Sequence, residues 1–305
     1  MKKIDAHVHI DAPISLTQTV EYYKDLMIRK GYDGLGLMSL GFGGESRTAA
    51  ESNAFALALL KELPGSIAFA ALDHSRDFTE QTQEYMQMGF SGIKLLEGKP
   101  SVWRHYGYGL DDLRFAPFFA YAEEQQIPLL VHNNDPWVHW DKEKLDERSI
   151  TSGWYYDETF PKKSYFDGIL ESVLAQYPRL KIALAHTAFY ADRPEKMAEL
   201  LKKYPNLMMD LTPALGIYKD LSAHSGAVRE LILKYPERFF YGTDAHNDLS
   251  GFNREYNDKK TAVVFAFLEE TELRTVCGME LCPVGLPEKV LEDVYYNNIK
   301  RFISD

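Results

Sequence analysis

The sequence predicts an α/β protein, a (β/α)8 barrel in which eight parallel strands alternate with helices. Eight short apolar runs, most of them apolar throughout, are typical of strands buried on both faces of a parallel sheet. Segments with helical spacing of apolar residues lie between the runs. Strand–helix alternation repeated eight times favours a closed barrel over an open, doubly wound sheet. The runs start near residues 4, 34, 67, 92, 127, 181, 207 and 239.

The clearest helical segments follow the second, sixth and seventh runs. SRTAAESNAFALALLKEL has a polar start and apolar residues at helical spacing. DRPEKMAELLKKYP and GAVRELILKYP both end at a proline, Pro205 and Pro236, which cannot continue a helix. A last helix, PEKVLEDVYYNNIKRFI, starts with Pro287 and is expected to pack outside the barrel.

One domain over residues 1–305 is expected, with one insertion. No linker, repeat or low-complexity segment divides the chain. The longest distance between successive runs follows the fifth, and the excess, about residues 134–164, is rich in aromatic side chains. In a barrel such a loop lies on the C-terminal face, where active sites are built. The aromatic residues could therefore line a pocket or form a small core within the insertion, and the sequence favours neither.

Composition and charge exclude several classes of function. The formal net charge is −11 and no basic cluster offsets it, so a nucleic-acid partner is not expected. No signal peptide or membrane-spanning segment is recognisable. Only two cysteines are present, Cys277 and Cys282, and we expect free thiols and a cytoplasmic protein. The expected partner is a small molecule, and a homo-oligomer is left open.

The first run, IDAHVHI, carries two histidines with one residue between them. Residues two apart in a strand point to the same side, so His7 and His9 are expected to face the barrel interior together. Two imidazoles that converge at a barrel mouth are good ligands for a divalent metal. A single buried histidine is usually only hydrogen-bonded. The pair by itself therefore does not decide between hydrogen-bonded core residues and metal ligands.

The polar residues at the ends of other strands favour the interpretation as a metal site. His132, His186 and Asp244 are each the first strongly polar residue after an apolar run, in LLVHNND, ALAHT and YGTDAH. The carboxyl ends of barrel strands meet at one rim, so these side chains are expected to lie near the histidine pair. Histidines together with one carboxylate suit Zn²⁺ best, with Mn²⁺ or Fe²⁺ as alternatives.

The motifs DAHVHI, VHNNDP, AHTAFY, YPNLMMDLT and YGTD, with the closing helix LPEKVLEDVYYNNIKRF, resemble the amidohydrolase superfamily. They are most similar to its amidohydrolase-related branch, which includes aminocarboxymuconate semialdehyde decarboxylase and related hydrolases. The resemblance covers nearly the whole chain. It implies one divalent metal ion held by His7, His9, His132 and Asp244. It also implies catalytic roles for Asp244, which accepts a proton from water, and for His186, which acts on the substrate or that water.

Lys94, in SGIKLLEG of the fourth run, has two readings under this resemblance. In some superfamily members a lysine on this strand is carboxylated and bridges two metal ions, with the equivalent of His186 as a further ligand. The branch that this chain resembles is mostly mononuclear. We therefore expect one metal ion and a Lys94 ammonium that binds an anionic group of the substrate, with the two-metal site as the less favoured alternative.

Arg104, Trp137 and Trp154 are further candidates for substrate contact, although a solvated loop and a small aromatic core explain them equally well. The expected activity is hydrolysis of a C–O or C–N bond in a lactone, ester or amide. The alternative is non-oxidative decarboxylation of a small carboxylic acid. A third reading is a barrel that retains the metal as a structural or sensing site.

Overall fold

The computed structural model describes residues 1–42 and 47–304. Its main sheet has nine parallel strands in the order β8-β7-β6-β5-β4-β3-β2-β1-β9. The strands are β1 Ile4–His9, β2 Gly34–Met38, β3 Ile67–Ala71, β4 Gly92–Gly98, β5 Leu129–Asn133, β6 Ile182–Leu184, β7 Leu207–Asp210, β8 Phe239–Phe240 and β9 Ala245–His246. The eight predicted runs are all confirmed as strands, and the eighth is divided in two.

The divided eighth strand closes the barrel. β8 pairs with β7, whereas β9 pairs with β1 at the other edge of the sheet. Between them the Ala6 N–H donates to the Tyr241 carbonyl at 3.1 Å, and the Asp244 N–H donates to the His7 carbonyl at 2.8 Å. Gly242 makes this approach possible, because a Cβ there would lie 2.8 Å from the His7 Cβ. The predicted (β/α)8 barrel is confirmed.

Helices connect the strands, and several begin with the side-chain caps that their sequences encode. Ser15 with Gln18, and Thr48 with Glu51, form capping boxes at the first two helices. The helices are α1 Leu16–Lys30, α2 Ala49–Glu62, α3 Phe78–Gln87, α4 Pro100–Tyr106, α5 Phe115–Gln125, α6 Glu147–Thr151, α7 Lys163–Gln176, α8 Pro194–Lys203, α9 Leu215–Ala223, α10 Ser225–Lys234, α11 Gly251–Glu269, α12 Glu288–Glu292 and α13 Asn298–Ile303. A small antiparallel hairpin, β10 Arg274–Val276 and β11 Met279–Leu281, follows α11.

The hydrophobic core has two parts. The larger part lies between the strands and the helices, and the smaller one fills the barrel interior. The interior cluster comprises Ile4, Ala6, Met38, Ile67, Phe69, Leu130, Ala183, Met208, Phe240, Ile299 and Phe302. Its last two members belong to α13, so the expectation that the closing helix packs outside the barrel is wrong for these side chains. The rings of Phe302 and Phe240 lie 5.9 Å apart, and this contact fills interior space that short strands leave open.

The segment 134–164 forms short helical turns around a buried tyrosine. The turns are Trp137–Trp140, Lys142–Lys144 and α6. Tyr156 is 1 % exposed and packs against the rings of Trp140 and Phe160, each 4.8 Å away. The Trp140 indole donates to the Pro161 carbonyl at 2.9 Å. The aromatic side chains thus supply the insertion with a small core of its own.

Both cysteines, Cys277 and Cys282, are free and exposed, as expected from their number. Among the described residues, no helix combines the length and the apolar character that a membrane crossing requires.

Candidate metal and catalytic site

A shift in register within β1 brings both histidines to the site. Ile4 and Ala6 lie in the interior cluster, but the pairing of β1 with β2 shifts between Asp5 and Val8. Beyond the shift Val8 joins the outer core, and His7 and His9 contact the polar residues at the barrel mouth. If side chains alternated strictly along β1, Asp5 would face the same side as His7 and His9. A local irregularity of this kind re-aims side chains near functional sites.

His7 is fixed by a carboxylate behind it. Its Nδ1 lies 2.5 Å from Oδ2 of Asp210, at the end of β7, and both residues are fully buried. This contact leaves Nε2 of His7 directed to the site, 3.3 Å from Nζ of Lys94. Burial lowers the pKa of His7 and raises that of Asp210. A carboxylate that orients one ring nitrogen is the usual partner of a metal-binding histidine.

His9 and Asp244 complete a group of donor atoms suited to a cation. Nε2 of His9 lies 2.8 Å from Oδ1 of Asp244, and the same oxygen lies 3.8 Å from Nε2 of His7. One donor atom from each of the three residues lies within 4.8 Å of the others. Two ligands of one tetrahedral Zn²⁺ lie about 3.3 Å apart, given bonds of about 2.0–2.1 Å. The two measured distances lie on either side of that value, so the donor set fits a divalent ion.

Asp244 is held by a lysine that the sequence analysis missed. Lys260 on α11 is 2 % exposed, and its Nζ lies 2.5 Å from the Asp244 carbonyl oxygen and 3.4 Å from Oδ2. The backbone of Asp244 has φ 57°, a left-handed conformation that is unfavourable for a residue with a Cβ. Burial raises the pKa of Asp244, but Lys260 and His9 lower it well below its usual range, so the carboxylate is ionised.

His186 lies beside this group. Its ring centroid is 5.7 Å from that of His7 and 5.0 Å from that of His132. Nδ1 lies 3.1 Å from the Thr212 carbonyl, a contact in which Nδ1–H donates, so Nε2 is left as an acceptor. Residues 186–189 all have positive φ, which turns the chain sharply after β6. Burial lowers the pKa of His186 to about 3, and the imidazole is therefore neutral at pH 7.

His132 is near the site but does not belong to the group of three. Its Nε2 lies 3.4 Å from Oδ1 of Asp135, and the other oxygen of that carboxylate, Oδ2, accepts a hydrogen bond from the Tyr156 hydroxyl at 2.5 Å. Burial lowers the pKa of His132 to about 4, so this ring is also neutral. A role for His132 as fourth ligand stays a prediction.

The predicted substrate residues lie in different surroundings. Lys94 is 2 % exposed at the site, and burial lowers the pKa of Lys94 to about 8 although Asp210 and Asp244 raise it. Arg104 donates to the Thr159 hydroxyl at 2.7 Å and covers the ring of Phe160.

Trp137 and Trp154 are 42 % and 41 % exposed on the insertion. Lys144 lies over the Trp137 ring, and His139 stacks on Trp154. The substrate contacts expected of Arg104 and of both tryptophans stay predictions.

The sequence analysis also missed the contact of His74 with Glu97, a second polar group that lies beside the site. Nε2 of His74 lies 2.8 Å from Oε1 of Glu97, and Nδ1 lies 2.5 Å from the Tyr108 hydroxyl. The sequence pairs His74 with nothing, because its partners, Glu97 within β4 and Tyr108 after α4, lie far along the chain. No local signal identifies Lys260 either, since it is one of two consecutive lysines on a long helix.

We compared the chain with known protein families, curated proteins and solved structures. A family model described as amidohydrolase matches residues 4–303. A dihydroorotase from Yersinia enterocolitica is 23 % identical over 265 residues, which are 79 % of this chain and 68 % of that protein.

Two solved decarboxylases share the fold. One is 2,6-dihydroxybenzoate decarboxylase from Rhizobium, with 14 % identity, a TM-score of 0.58, and 99 % and 98 % of the two chains covered. The other is a dihydroxybenzoic acid decarboxylase from a Polaromonas species with bound manganese and 2-nitroresorcinol. It has 14 % identity, a TM-score of 0.58, and 99 % and 96 % covered. At these identities the likeness shows the fold alone.

Proposed function

Because this chain belongs to the amidohydrolase family, we propose that it is a metal-dependent hydrolase of a C–O or C–N bond in a small molecule. The observation that carries the proposal is the convergence of His7, His9 and Asp244 beside a neutral His186. Metal-dependent hydrolysis at neutral pH uses a cation next to groups that can accept and return a proton, and the residues at this barrel mouth are of the types that supply both.

One divalent ion would be held by His7 through Nε2, by His9 and by Asp244, with His132 as the fourth ligand. The contact of Asp210 with Nδ1 of His7 supports that assignment, because it leaves only Nε2 free to coordinate. The buried Nδ1 of His9 has no hydrogen-bond partner among the described residues. The imidazole and carboxylate donors favour Zn²⁺, and Mn²⁺ and Fe²⁺ remain compatible with them.

When bound, such an ion polarises a carbonyl and lowers the pKa of water towards 7. The protein supplies the proton transfers. Asp244 is ionised and can accept a proton from the attacking water. His186 is neutral, with Nε2 as its acceptor, so it can take up that proton there and deliver it to the leaving oxygen or nitrogen. The new C–O bond thus forms as the ester or amide bond breaks, and no other reactant is needed.

Lys94 is proposed to bind an anionic group of the substrate and to stay uncarboxylated. Its ammonium lies among the site residues, 3.3 Å from Nε2 of His7. Arg104, Trp137 and Trp154 would extend the binding surface along the insertion. A carboxylated Lys94 with a second metal ion is the less favoured arrangement.

Decarboxylation is the second candidate, and the shared fold of two dihydroxybenzoate decarboxylases favours it. In that reaction His186 or Asp244 would deliver a proton to the carbon that loses CO₂. The deciding experiment is a turnover screen of metal-replete protein against lactones, amides and aromatic carboxylic acids, which measures acid release and CO₂ release in parallel. Acid release without CO₂ supports the hydrolase, and CO₂ release overturns it in favour of the alternative.

A further inference from the structure

The two histidines of β1 are held in different ways. The ring of His7 is oriented by Asp210, which contacts its Nδ1. Nε2 of His9 contacts Asp244, but no side chain or backbone group among the described residues bonds to Nδ1 of His9. A metal-binding histidine is usually oriented through the nitrogen that does not coordinate. The ring of His9 therefore depends on another contact of the protein for its orientation.

That contact is made by the imidazole of His246, on β9. The centroids of the His9 and His246 rings lie 4.6 Å apart and the ring planes differ by 16°, so the two rings stack. The sheet produces this arrangement, because His9 and His246 are register partners on the paired strands β1 and β9. Neighbouring strands lie about 4.8 Å apart, which is close to the separation of the rings. His246 thus covers one face of the His9 ring.

His246 is in turn anchored by Asp11, in the loop after β1. Nδ1 of His246 lies 2.9 Å from Oδ1 of Asp11. The segments that carry the two residues are tied together, since the Ala12 N–H donates to Oδ1 of Asn247 at 2.9 Å. The guanidinium of Arg47 also donates to the Ala12 carbonyl, at 3.0 Å. Asp11 therefore lies on a fixed segment and can set the plane of the His246 ring.

We propose that Asp11 and His246 are positioning residues for the metal ligand His9. Asp11 orients His246, and the stacked ring of His246 keeps Nε2 of His9 directed at the site of the ion. His246 acts through His9, since it is not one of the three residues whose donor atoms converge. The inference rests on the proposed function, because it requires His9 to be a ligand.

The test titrates the chelator-treated protein with Zn²⁺ for affinity and with Co²⁺ for its visible absorption bands, which report on ligand geometry. His246→Ala should lower metal affinity about 10- to 100-fold, the usual effect when a ligand loses the residue that orients it. His246→Phe keeps a ring against His9 but cannot coordinate, so it should recover most of that loss. His224→Ala, at an exposed histidine between α9 and α10, is the control and should change neither affinity nor bands.

Variants of Asp11 separate its hydrogen bond from its charge. Asp11→Ala should also lower metal affinity, whereas Asp11→Asn should keep most of it, because the amide oxygen still accepts from Nδ1–H of His246. The double variant Asp11→Ala/His246→Ala should bind metal no more weakly than His246→Ala, since Asp11 acts through His246. Glu62→Gln, which removes the charge of a half-exposed glutamate on α2, is the control for net charge and should leave affinity unchanged. Asp11→Ala, in a loop, serves as the second test if His246→Ala fails to fold.

A general structural role is tested on the metal-free protein. The His246 side chain is 38 % exposed, so His246→Ala should change the thermal midpoint without metal by no more than about 2 °C. A larger fall of that midpoint with unchanged metal affinity would overturn the positioning role.

Three further outcomes would overturn the inference. Wild-type affinity and Co²⁺ bands in His246→Ala would show that the stacked ring does not position His9. A loss in His246→Phe equal to that in His246→Ala would make His246 a ligand. Additive losses in the double variant would mean that Asp11 acts by its charge alone.

The proposed function fails separately. A wild type that binds no metal removes the metal-dependent hydrolase and this inference with it. Turnover of a lactone or amide with unchanged metal affinity in His246→Ala retains the hydrolase and removes the positioning pair. Metal affinity that depends on Asp11 and His246, in a protein that releases only CO₂, retains the pair and removes the hydrolase.

Discussion

Lys260 shows how one buried side chain sets the geometry of a reactive one. It donates to the backbone carbonyl of Asp244, which lies in a left-handed conformation. Strained conformations of this kind cost about 1–3 kcal/mol and persist only where their surroundings impose them. Lys260 is therefore a positioning residue, and the carboxylate that it holds is the proposed ligand.

Replacing Lys260 by Met should lower metal affinity about 10- to 100-fold, which is the usual effect when a metal ligand loses the residue that orients it. The free energy of unfolding should fall by about 1–3 kcal/mol, because a buried carbonyl loses its donor. Metal titration and thermal unfolding measure the two effects. Lys259→Met is the matched control, since Lys259 is a half-exposed neighbour whose ammonium pairs with Glu255 at the helix surface. Equal effects of the two substitutions would contradict the positioning role.

His186→Asn should retain the metal ion and lose turnover by about 10²- to 10⁴-fold, the contribution of one acid–base group. The reason is that His186 lies outside the group of three donors and directs only Nε2 to the site. Metal content and steady-state rates are measured together. His224→Asn, at an exposed position between α9 and α10, should change neither. Joint loss of metal and activity would make His186 a ligand and favour two metal ions.

The pH dependence of substrate binding should report on Lys94. Its pKa is lowered to about 8, mainly by burial, so its charge is present below pH 8 and is lost as the pH rises above it. For an anionic substrate kcat/KM should therefore fall by up to tenfold per pH unit on the alkaline side. In Lys94→Met this limb should vanish and kcat/KM should be low throughout, with metal content unchanged. An alkaline limb retained in Lys94→Met, or bicarbonate-dependent activation of the wild type, would disprove the assignment.

At the scale of elements, a buried carboxylate at the end of β5 links the insertion to the neighbouring β4–α4 connection. Asp135, just after β5, accepts from the Tyr156 hydroxyl of the insertion at 2.5 Å and from Lys99 of the β4–α4 connection at 3.2 Å. His132 contacts the same carboxylate. The packing of the insertion is thereby linked to a proposed ligand.

Tyr156→Phe should lower the free energy of unfolding by about 1–3 kcal/mol, because the buried Asp135 loses a donor while the ring keeps its packing. Chemical denaturation measures the change. Tyr165→Phe, at a tyrosine that is 42 % exposed, is the control and should lie within about 0.5 kcal/mol of the wild type. If both variants behave alike, the hydroxyl contact contributes nothing to stability.

At the scale of the whole molecule, the proposed ligands join distant parts of the chain. His7 and His9 belong to β1, whereas Asp244 lies between β8 and β9, where the barrel closes. An ion bound there connects the first strand to the last. Because folding must bring these strands together before the donors meet, the ion binds the folded state in preference to the unfolded chain.

Metal should therefore raise the thermal midpoint. At a free concentration 100 times its Kd, an ion adds about 2.7 kcal/mol, and midpoints of large domains move by about 2–4 °C per kcal/mol. Differential scanning calorimetry with metal and with a chelator measures the shift. His9→Ala should abolish it, and His224→Asn should keep it. The same midpoint in metal and in chelator would refute the site.

The sequence by itself determined the barrel and the rim on which the reactive residues lie. Short apolar runs at regular intervals predict parallel strands, and a polar residue at the end of each run must emerge at the shared C-terminal face. His186 and Asp244 follow from this rule, and both occur there. Lys94, on the fourth run, also points into the barrel mouth, where its ammonium lies 3.3 Å from Nε2 of His7.

Only the tertiary structure decided which side chains meet. His7 with Asp210, Asp244 with Lys260, and His74 with Glu97 are contacts between different elements. The register shift in β1 likewise depends on how its backbone meets β2. The physical reason is that strand and helix periodicities are local and can be read along the chain, whereas a particular contact depends on packing among residues far apart in it.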